Sequence, residues 1–103
     1  MKWIETIELR STSPGDHLKD MDLQTLMLNV PAASKPYLMV LLQHATVKGD
    51  LCVHLLFDTD RVPPEGSEPG LQLIEVLRDS GLVSHKIWIE TERSHVPAGN
   101  DIS

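Results

Sequence analysis

Two apolar runs joined by a tight turn decide the fold of this chain of 103 residues. Residues 37–57 read YLMVLLQHATVKGDLCVHLLF. The runs cover residues 36–46 and 51–58, and their length and apolar content are typical of β-strands. Between them lies a Lys-Gly-Asp turn signal in which Gly49 is expected to be left-handed. The stretch therefore predicts a β-hairpin.

The residues before the hairpin predict a strand followed by a helix. Residues 3–10 partly alternate and are rich in β-branched side chains, as in a short strand. Ser13 can cap a helix, and Pro14 suits its first position. Apolar residues then recur at approximately helical spacing through residues 16–29, and Pro31 ends the segment.

After the hairpin, the clearest signals mark the start of a second helix. Residues 58–66 contain two prolines and a glycine, which favour a loop. Ser67 is an N-cap candidate, Glu68 suits the positive end of the helix dipole, and Pro69 is tolerated in the first turn. The apolar stripe of this helix comprises Leu73, Ile74 and Leu77, widened by Leu71 and Val76.

The end of the second helix is also marked. Gly81 lies where a left-handed C′ residue is expected, with Leu82 folding back onto Leu77 as in a Schellman ending. Residues 83–91 are predicted to be the last strand, and residues 93–103 a flexible polar tail. Residues 1–92 then form a single domain.

The order strand, helix, strand, strand, helix, strand predicts an α+β fold of the ferredoxin-like type. In this βαββαβ arrangement a four-stranded antiparallel sheet carries both helices on one face. Hydrophobic residues at 41% and charged residues at 23% agree with one small globular domain.

Charge and cysteine usage exclude several classes of function. The net charge is -6 and no basic cluster is present, which argues against nucleic-acid and anionic-membrane partners. The single cysteine, Cys52, excludes a disulfide within the chain. No apolar run approaches the roughly 20 residues of a membrane span, and the first residues lack a secretory h-region. We therefore expect a soluble, cytoplasmic protein.

The hairpin is apolar on both faces, which predicts a partner for the sheet. A sheet with helices on one side normally alternates apolar and polar residues. Here one face carries the more apolar set, yet the other still holds Leu38, Val40, Leu42, Leu56 and, on the last strand, Trp88. Leaving these side chains in water forgoes about 1.5–3 kcal/mol each. We expect a second copy of the chain to cover this face as a homodimer.

The second half of the chain resembles a family of small bacterial proteins. The residues that carry the resemblance are the segments 44–45 (HA), 49–56 (GDLCVHLL), 66–71 (GSEPGL) and 81–88 (GLVSHKIW). The family is similar to the antibiotic biosynthesis monooxygenase-like, dimeric α+β barrel superfamily. The resemblance implies a ferredoxin-like protomer and a dimer whose sheets enclose small pockets. It also implies a range of activities, including cofactor-independent oxygenases and isomerases, and it transfers no catalytic residue.

The histidines and the cysteine are the candidate site residues. A three-residue loop would place His44 opposite Cys52, with His54 on the same face. His44 and His54 are the candidate acid/base groups. His85 has the opposite parity and lies on the other side of the sheet or at its rim. The candidate pocket residues are Cys52, Leu56, His85 and Trp88.

Three interpretations of this constellation stay open at the level of sequence. It can be a ligand pocket, a zinc or copper site, or a set of structural histidines bonded to backbone groups. Metal-ligand spacings such as His-x-His are absent, so we predict no metal and no cofactor. The leading hypothesis is a homodimer that binds a small apolar or aromatic molecule or acts as a cofactor-independent monooxygenase-like enzyme. The alternative is a non-catalytic dimerisation module without a ligand.

Overall fold

A computed structural model describes residues 1–12, 25, 27, 28 and 30–97 of the chain. The described part forms a small α+β fold with one four-stranded antiparallel sheet in the order β2-β3-β1-β4. The strands are β1 (Lys2–Ser11), β2 (Leu38–Gln43), β3 (Leu51–Asp58) and β4 (Gly81–Ile89). Helix α1 (Glu68–Leu77) lies between β3 and β4, and short 3-10 turns cover Ala32–Ser34 and Arg78–Ser80.

Most of the predicted elements are present, with shifted ends. The hairpin is confirmed, and β3 has the predicted bounds. Strand β2 is shorter than predicted because the chain leaves the ladder after Gln43. Gly49 is left-handed, with φ of 94°, as the turn signal predicts. The predicted helix over 16–29, with Ser13 and Pro14, lies almost entirely outside the described residues, although Met27 is buried in the core.

Residue parity determines which face of the sheet a side chain occupies. The register pairs Ile4 with Leu56 on β3 and with Trp88 on β4, so even-numbered residues align across the sheet. Leu38 pairs with Leu56 and extends this alignment to β2. The odd-numbered residues occupy the opposite face, on which α1 packs.

The hydrophobic core lies between the odd-numbered face and α1. It is built from one side chain in every two along the strands, because successive residues alternate between faces. The buried apolar residues are Trp3, Ile7 and Leu9 of β1, Leu51, Val53, Leu55 and Phe57 of β3, Leu73 and Leu77 of α1, and Met27 and Val30. Trp3 and Phe57 stack with ring centroids 4.2 Å apart.

The N-terminus of α1 has the predicted cap. Ser67 is the N-cap, and its Oγ accepts a hydrogen bond from the Gly70 N–H at 3.0 Å. Pro69 lies in the first turn, where no intrahelical N–H bond is required. This arrangement fixes the helix start directly above β1.

The predicted helix ending at Gly81 is wrong. The chain continues from α1 into a 3-10 turn, and Gly81 is extended, with φ of 160°, as the first residue of β4. Leu82 is 67% exposed on the other face of the sheet, so it does not fold back onto Leu77. Glycine is required for another reason. A Cβ at Gly81 would overlap the backbone carbonyl of Arg10 on the neighbouring strand.

The chain after β4 has no regular structure as far as residue 97. Residues 90–97 are all exposed, and residues 98–103 lie outside the described residues. Glu90 donates its backbone N–H to the carbonyl of Lys2 and forms an ion pair with Arg93.

Candidate functional site

The even-numbered residues of the four strands form a surface that we call the open face. No other described element packs on it, and several of its side chains are large and apolar. Its first cross-strand row consists of Leu38, Leu56, Ile4 and Trp88. Leu38 is 49% exposed and Trp88 57% exposed. The two-sided apolarity of the hairpin is therefore a property of the folded chain.

Four of the predicted site residues lie on the open face. His54 lies between Val40 and Thr6 in the second row, beside the apolar row. Cys52 lies in the third row, between Leu42 and Glu8. Leu56 and Trp88 belong to the apolar row and are separated by Ile4. These positions share one face, as the parity of the hairpin predicts.

His44 lies beyond the end of β2 and is turned into its own loop. Its ring Nδ1 accepts hydrogen bonds from the backbone N–H groups of Thr46, at 3.1 Å, and Val47, at 2.9 Å. The predicted pairing of His44 with Cys52 is wrong. Cys52 pairs with Leu42, and the His44 N–H donates to the carbonyl of Asp50. The loop is longer than predicted, so the residue opposite Cys52 is Leu42 and not His44. The shift is two residues, so His44 stays on the even-numbered side of the strand.

A groove of about 500 Å³ lies at the end of the open face that includes the hairpin turn. His44 and Cys52 line it, together with Glu8 and Arg10 of β1. Its other lining residues are Leu9, Leu42, Gln43, Val47, Asp50, Leu51, Leu82, Val83 and Ser84. His54, Leu56, His85 and Trp88 do not line this groove, so the predicted residues do not converge on one cavity.

The surroundings of Cys52 favour the protonated form of its thiol. Burial raises the pKa of the Cys52 thiol, and the carboxylate of Glu8, its partner across the β1–β3 ladder, raises it further. A hydrogen bond with the backbone of Ile7 acts in the opposite direction but is the smallest of the three effects. Because the thiolate is the nucleophile, these surroundings do not activate Cys52.

His85 belongs to a different cluster, on the odd-numbered face. Its ring Nε2 lies 2.5 Å from Glu5 Oε2, and its side chain is 22% exposed. Glu5 is completely buried between Trp3 and Ile7 of β1. His85 therefore lies on the face opposite to Cys52 and His54, as its odd-numbered position predicts.

The buried carboxylate of Glu5 is satisfied by the start of α1 as well as by His85. The Ser67 N–H lies 3.2 Å from both carboxylate oxygens, and the Ser67 Oγ–H donates to Oε1 at 2.5 Å. The partial positive charge of the helix N-terminus adds to this stabilisation. All buried side-chain nitrogen and oxygen atoms in the described residues have a hydrogen-bond partner.

Two glycines make room for this cluster. A Cβ at Gly66 would lie 2.6 Å from Glu5 Oε2 and 2.7 Å from His85 Cε1, and the φ of Gly66 is 110°. A Cβ at Gly70 would overlap the Glu5 carboxylate itself. The segment from Gly66 to Gly70 is therefore shaped around a carboxylate that belongs to the same chain.

The geometry of this cluster differs from that of a serine nucleophile. Ser67 Oγ donates to Glu5 and accepts from Gly70, so its hydrogen does not point at the imidazole of His85. Sequence reasoning missed Glu5. The available signal is a charged residue at an inward position of a strand, between Trp3 and Ile7, because a buried charge requires a partner.

Two further observations limit the chemistry of the described residues. They contain no group of three or more His, Cys, Asp or Glu side chains arranged to hold a metal ion. None of their helices is both long enough and apolar enough to cross a membrane. Asp58, the last residue of β3, forms an ion pair with the N-terminal amine of Met1 at 3.2 Å.

Comparison with known proteins gives no assignment. No protein-family profile matches the chain, and neither a curated protein nor a solved structure matches it. A functional conclusion therefore depends on the open face, its groove and the buried cluster.

Proposed function

We propose that this protein is a homodimer in which a second copy covers the open face, and that it binds a small molecule there. The observation that carries the proposal is the apolar row of Leu38, Leu56, Ile4 and Trp88, which no described element covers. A contiguous apolar surface of this kind is typical of an interaction site in soluble proteins. In a dimer with a two-fold axis, the open face of each protomer covers the open face of the other.

The charge of the open face supports pairing with an identical copy. Its strand residues include three bases, Lys2, Arg10 and Lys86, and two acids, Glu8 and Asp58. With neutral histidines the face therefore has a net charge of +1 (three minus two), whereas the chain has a net charge of -6. The excess acidic residues lie elsewhere, so the face does not strongly repel a second copy.

The strand order supports the ferredoxin-like interpretation. The order β2-β3-β1-β4 places the hairpin beside β1 and the last strand on its other side, as in a split βαβ arrangement. We propose that the segment between β1 and β2 supplies the second helix, because Met27 and Val30 already pack in the core. Together with the sequence resemblance, this supports a dimeric α+β barrel of the antibiotic biosynthesis monooxygenase-like type.

If the protein is an enzyme, we assign the acid/base role to His54 and not to His44. The Nδ1 atom of His44 is occupied by two backbone N–H groups of its own loop. His54 has no such bond among the described residues and lies beside the apolar row, where an apolar substrate would bind. The reaction class that the resemblance implies is a cofactor-independent oxygenation or isomerisation.

A non-catalytic dimerisation module is the second candidate. The observation that favours it is the structural role of His44, whose ring closes the hairpin loop. The groove of about 500 Å³ on the open face favours ligand binding instead, because small-molecule sites commonly have volumes of roughly 300–1,000 Å³.

Native mass spectrometry of freshly purified protein tests the proposal, with two matched variants. Leu38 on the open face and Leu71 on α1 are the same residue type with similar exposure, 49% and 46%. We expect twice the 11.5 kDa chain mass for the wild type and for Leu71→Glu, and the single chain mass for Leu38→Glu. A constant additional mass on the dimer would support ligand binding.

Alkylation of Cys52 provides an independent measurement of the same interface. Cys52 lies in the open face, so a second copy would shield its thiol. We expect faster reaction with iodoacetamide in Leu38→Glu than in the wild type, and no change in Leu71→Glu. A monomeric wild type at all concentrations, or equal effects of both substitutions, would contradict the proposed dimer.

A further inference from the structure

Three exposed apolar side chains line the groove at one end of the open face. Leu42, Val47 and Leu82 are 42%, 46% and 67% exposed, and all three line the groove of about 500 Å³. They come from β2, the hairpin loop and β4, so they surround the groove from different sides. A concave surface with such a lining is suited to the apolar part of a small molecule.

Two opposite charges, Glu8 and Arg10, lie in the same groove and have no ion-pair partner among the described residues. Glu8 and Arg10 are two residues apart on β1, so both point to the open face, with Cα atoms about 7 Å apart. Both side chains are exposed, and neither forms an ion pair within the described part of the chain. Each is therefore available to a ligand.

Two other polar side chains of the groove, Asp50 and His44, form hydrogen bonds within the chain. The Asp50 carboxylate accepts the backbone N–H of Ser11 at 3.0 Å. The Nδ1 atom of His44 accepts two backbone N–H groups, which leaves Nε2 as the protonated nitrogen of the neutral ring. The charged side chains of the groove are thus Asp50, which is hydrogen-bonded to β1, and Glu8 and Arg10, which have no ion-pair partner among the described residues.

We propose that this groove binds the zwitterionic head of an apolar α-amino acid. Arg10 receives the carboxylate, Glu8 receives the ammonium group, and the side chain packs on Leu42, Val47 and Leu82. A ligand with only a carboxylate leaves Glu8 without a partner, and a ligand with only an amine leaves Arg10 without one. A zwitterion satisfies both charges and has no net repulsion from a chain of charge -6. The inference deepens the proposed function, since it names the ligand class of the open face.

Isothermal titration calorimetry with L-leucine as the probe tests this assignment. The comparison compounds are 4-methylpentanoate, which lacks the amine, and isopentylamine, which lacks the carboxylate. We expect leucine to bind and each analogue to bind at least about tenfold more weakly, since each loses a charge-assisted interaction. Analogue binding equal to that of leucine would overturn the zwitterion assignment.

Three variants locate the site. Arg10→Gln and Glu8→Gln should each weaken leucine binding by about tenfold or more. Lys86→Gln, an exposed charge on the same face but outside the groove, should leave it unchanged. Circular dichroism melting checks that each variant is folded. Binding that is insensitive to both groove substitutions, or no binding of leucine at all, would overturn the inference.

The oligomeric state of the same samples separates this inference from the proposed function. A dimer that does not bind leucine overturns the amino-acid site and leaves the dimer in place. A monomer that binds leucine, with loss of binding in Arg10→Gln, supports the site and overturns the dimer.

Discussion

His85 Nε2 lies 2.5 Å from the Oε2 atom of Glu5, a side chain that solvent does not reach. The two residues are 80 positions apart in sequence and belong to the first and last strands of the sheet. The same carboxylate is bonded by Ser67, at the start of α1. One buried charge thus joins two strands and a helix.

Replacement of Glu5 by Gln should destabilise the protein. The amide presents an NH₂ group where the carboxylate accepts from Ser67 or His85, so donors face donors. We expect the free energy of unfolding to fall by about 1–3 kcal/mol, measured by urea denaturation. Glu8→Gln is the matched control on the same strand, because Glu8 is exposed, and it should change stability by less than about 0.5 kcal/mol. Equal effects of the two substitutions would show that the buried cluster contributes nothing specific.

Replacement of Gly70 by Ala should also destabilise the protein, although this substitution usually stabilises a helix. Within a helix, alanine is normally more stable than glycine by roughly 0.5–1 kcal/mol. Here the added Cβ would overlap the Glu5 carboxylate, and we expect a loss of about 1–3 kcal/mol from overpacking. Gln72→Ala, at an exposed position of α1, is the control and should be nearly neutral. A stabilised Gly70→Ala protein would contradict the described packing.

His44 should contribute to the stability of the hairpin loop. Replacement by Ala removes the acceptor for the Thr46 and Val47 N–H groups, and we expect a loss of about 0.5–1.5 kcal/mol in thermal or urea unfolding. His44→Asn should recover part of the loss, because an Asn side chain can accept a backbone N–H two residues on. Equal stabilities of His44→Ala and His44→Asn would mean that the His44 ring does not stabilise the loop by accepting hydrogen bonds.

The reactivity of Cys52 should depend on Glu8. Since the carboxylate raises the pKa of the thiol, Glu8→Gln should lower that pKa and increase the thiolate fraction at a fixed pH. We expect faster alkylation by iodoacetamide between about pH 7 and 9, followed by mass spectrometry. Unfolded samples of both proteins should react at the same rate. A slower reaction in Glu8→Gln would contradict the electrostatic cause.

Local signals in the sequence predicted a large part of this fold. The turn at Gly49 and the two apolar runs beside it identified two strands, and residue parity identified the face of each side chain. The cap at Ser67 identified the start of α1. These features depend on neighbouring residues, so periodicity and turn chemistry suffice to find them.

Features that depend on distant residues were not predicted. Gly81 has the position of a helix C′ glycine, but its cause is the carbonyl of Arg10, far away in sequence. The burial of Glu5 depends on Ser67 and His85, which no local pattern connects to β1. The register of His44 depended on a loop longer than its turn signal indicated. For Gly81 and Glu5 a tertiary contact overrode the local signal, whereas for His44 the loop itself differs from the predicted turn.

The central position of β1 has a consequence for synthesis of the chain. Strand β1 pairs with β3 on one side and with β4 on the other, so its backbone hydrogen bonds are complete only after the last strand has left the ribosome. Until then the nascent chain displays an unpaired edge and a charged Glu5 without His85. Such long-range pairing slows folding and favours association of incomplete chains.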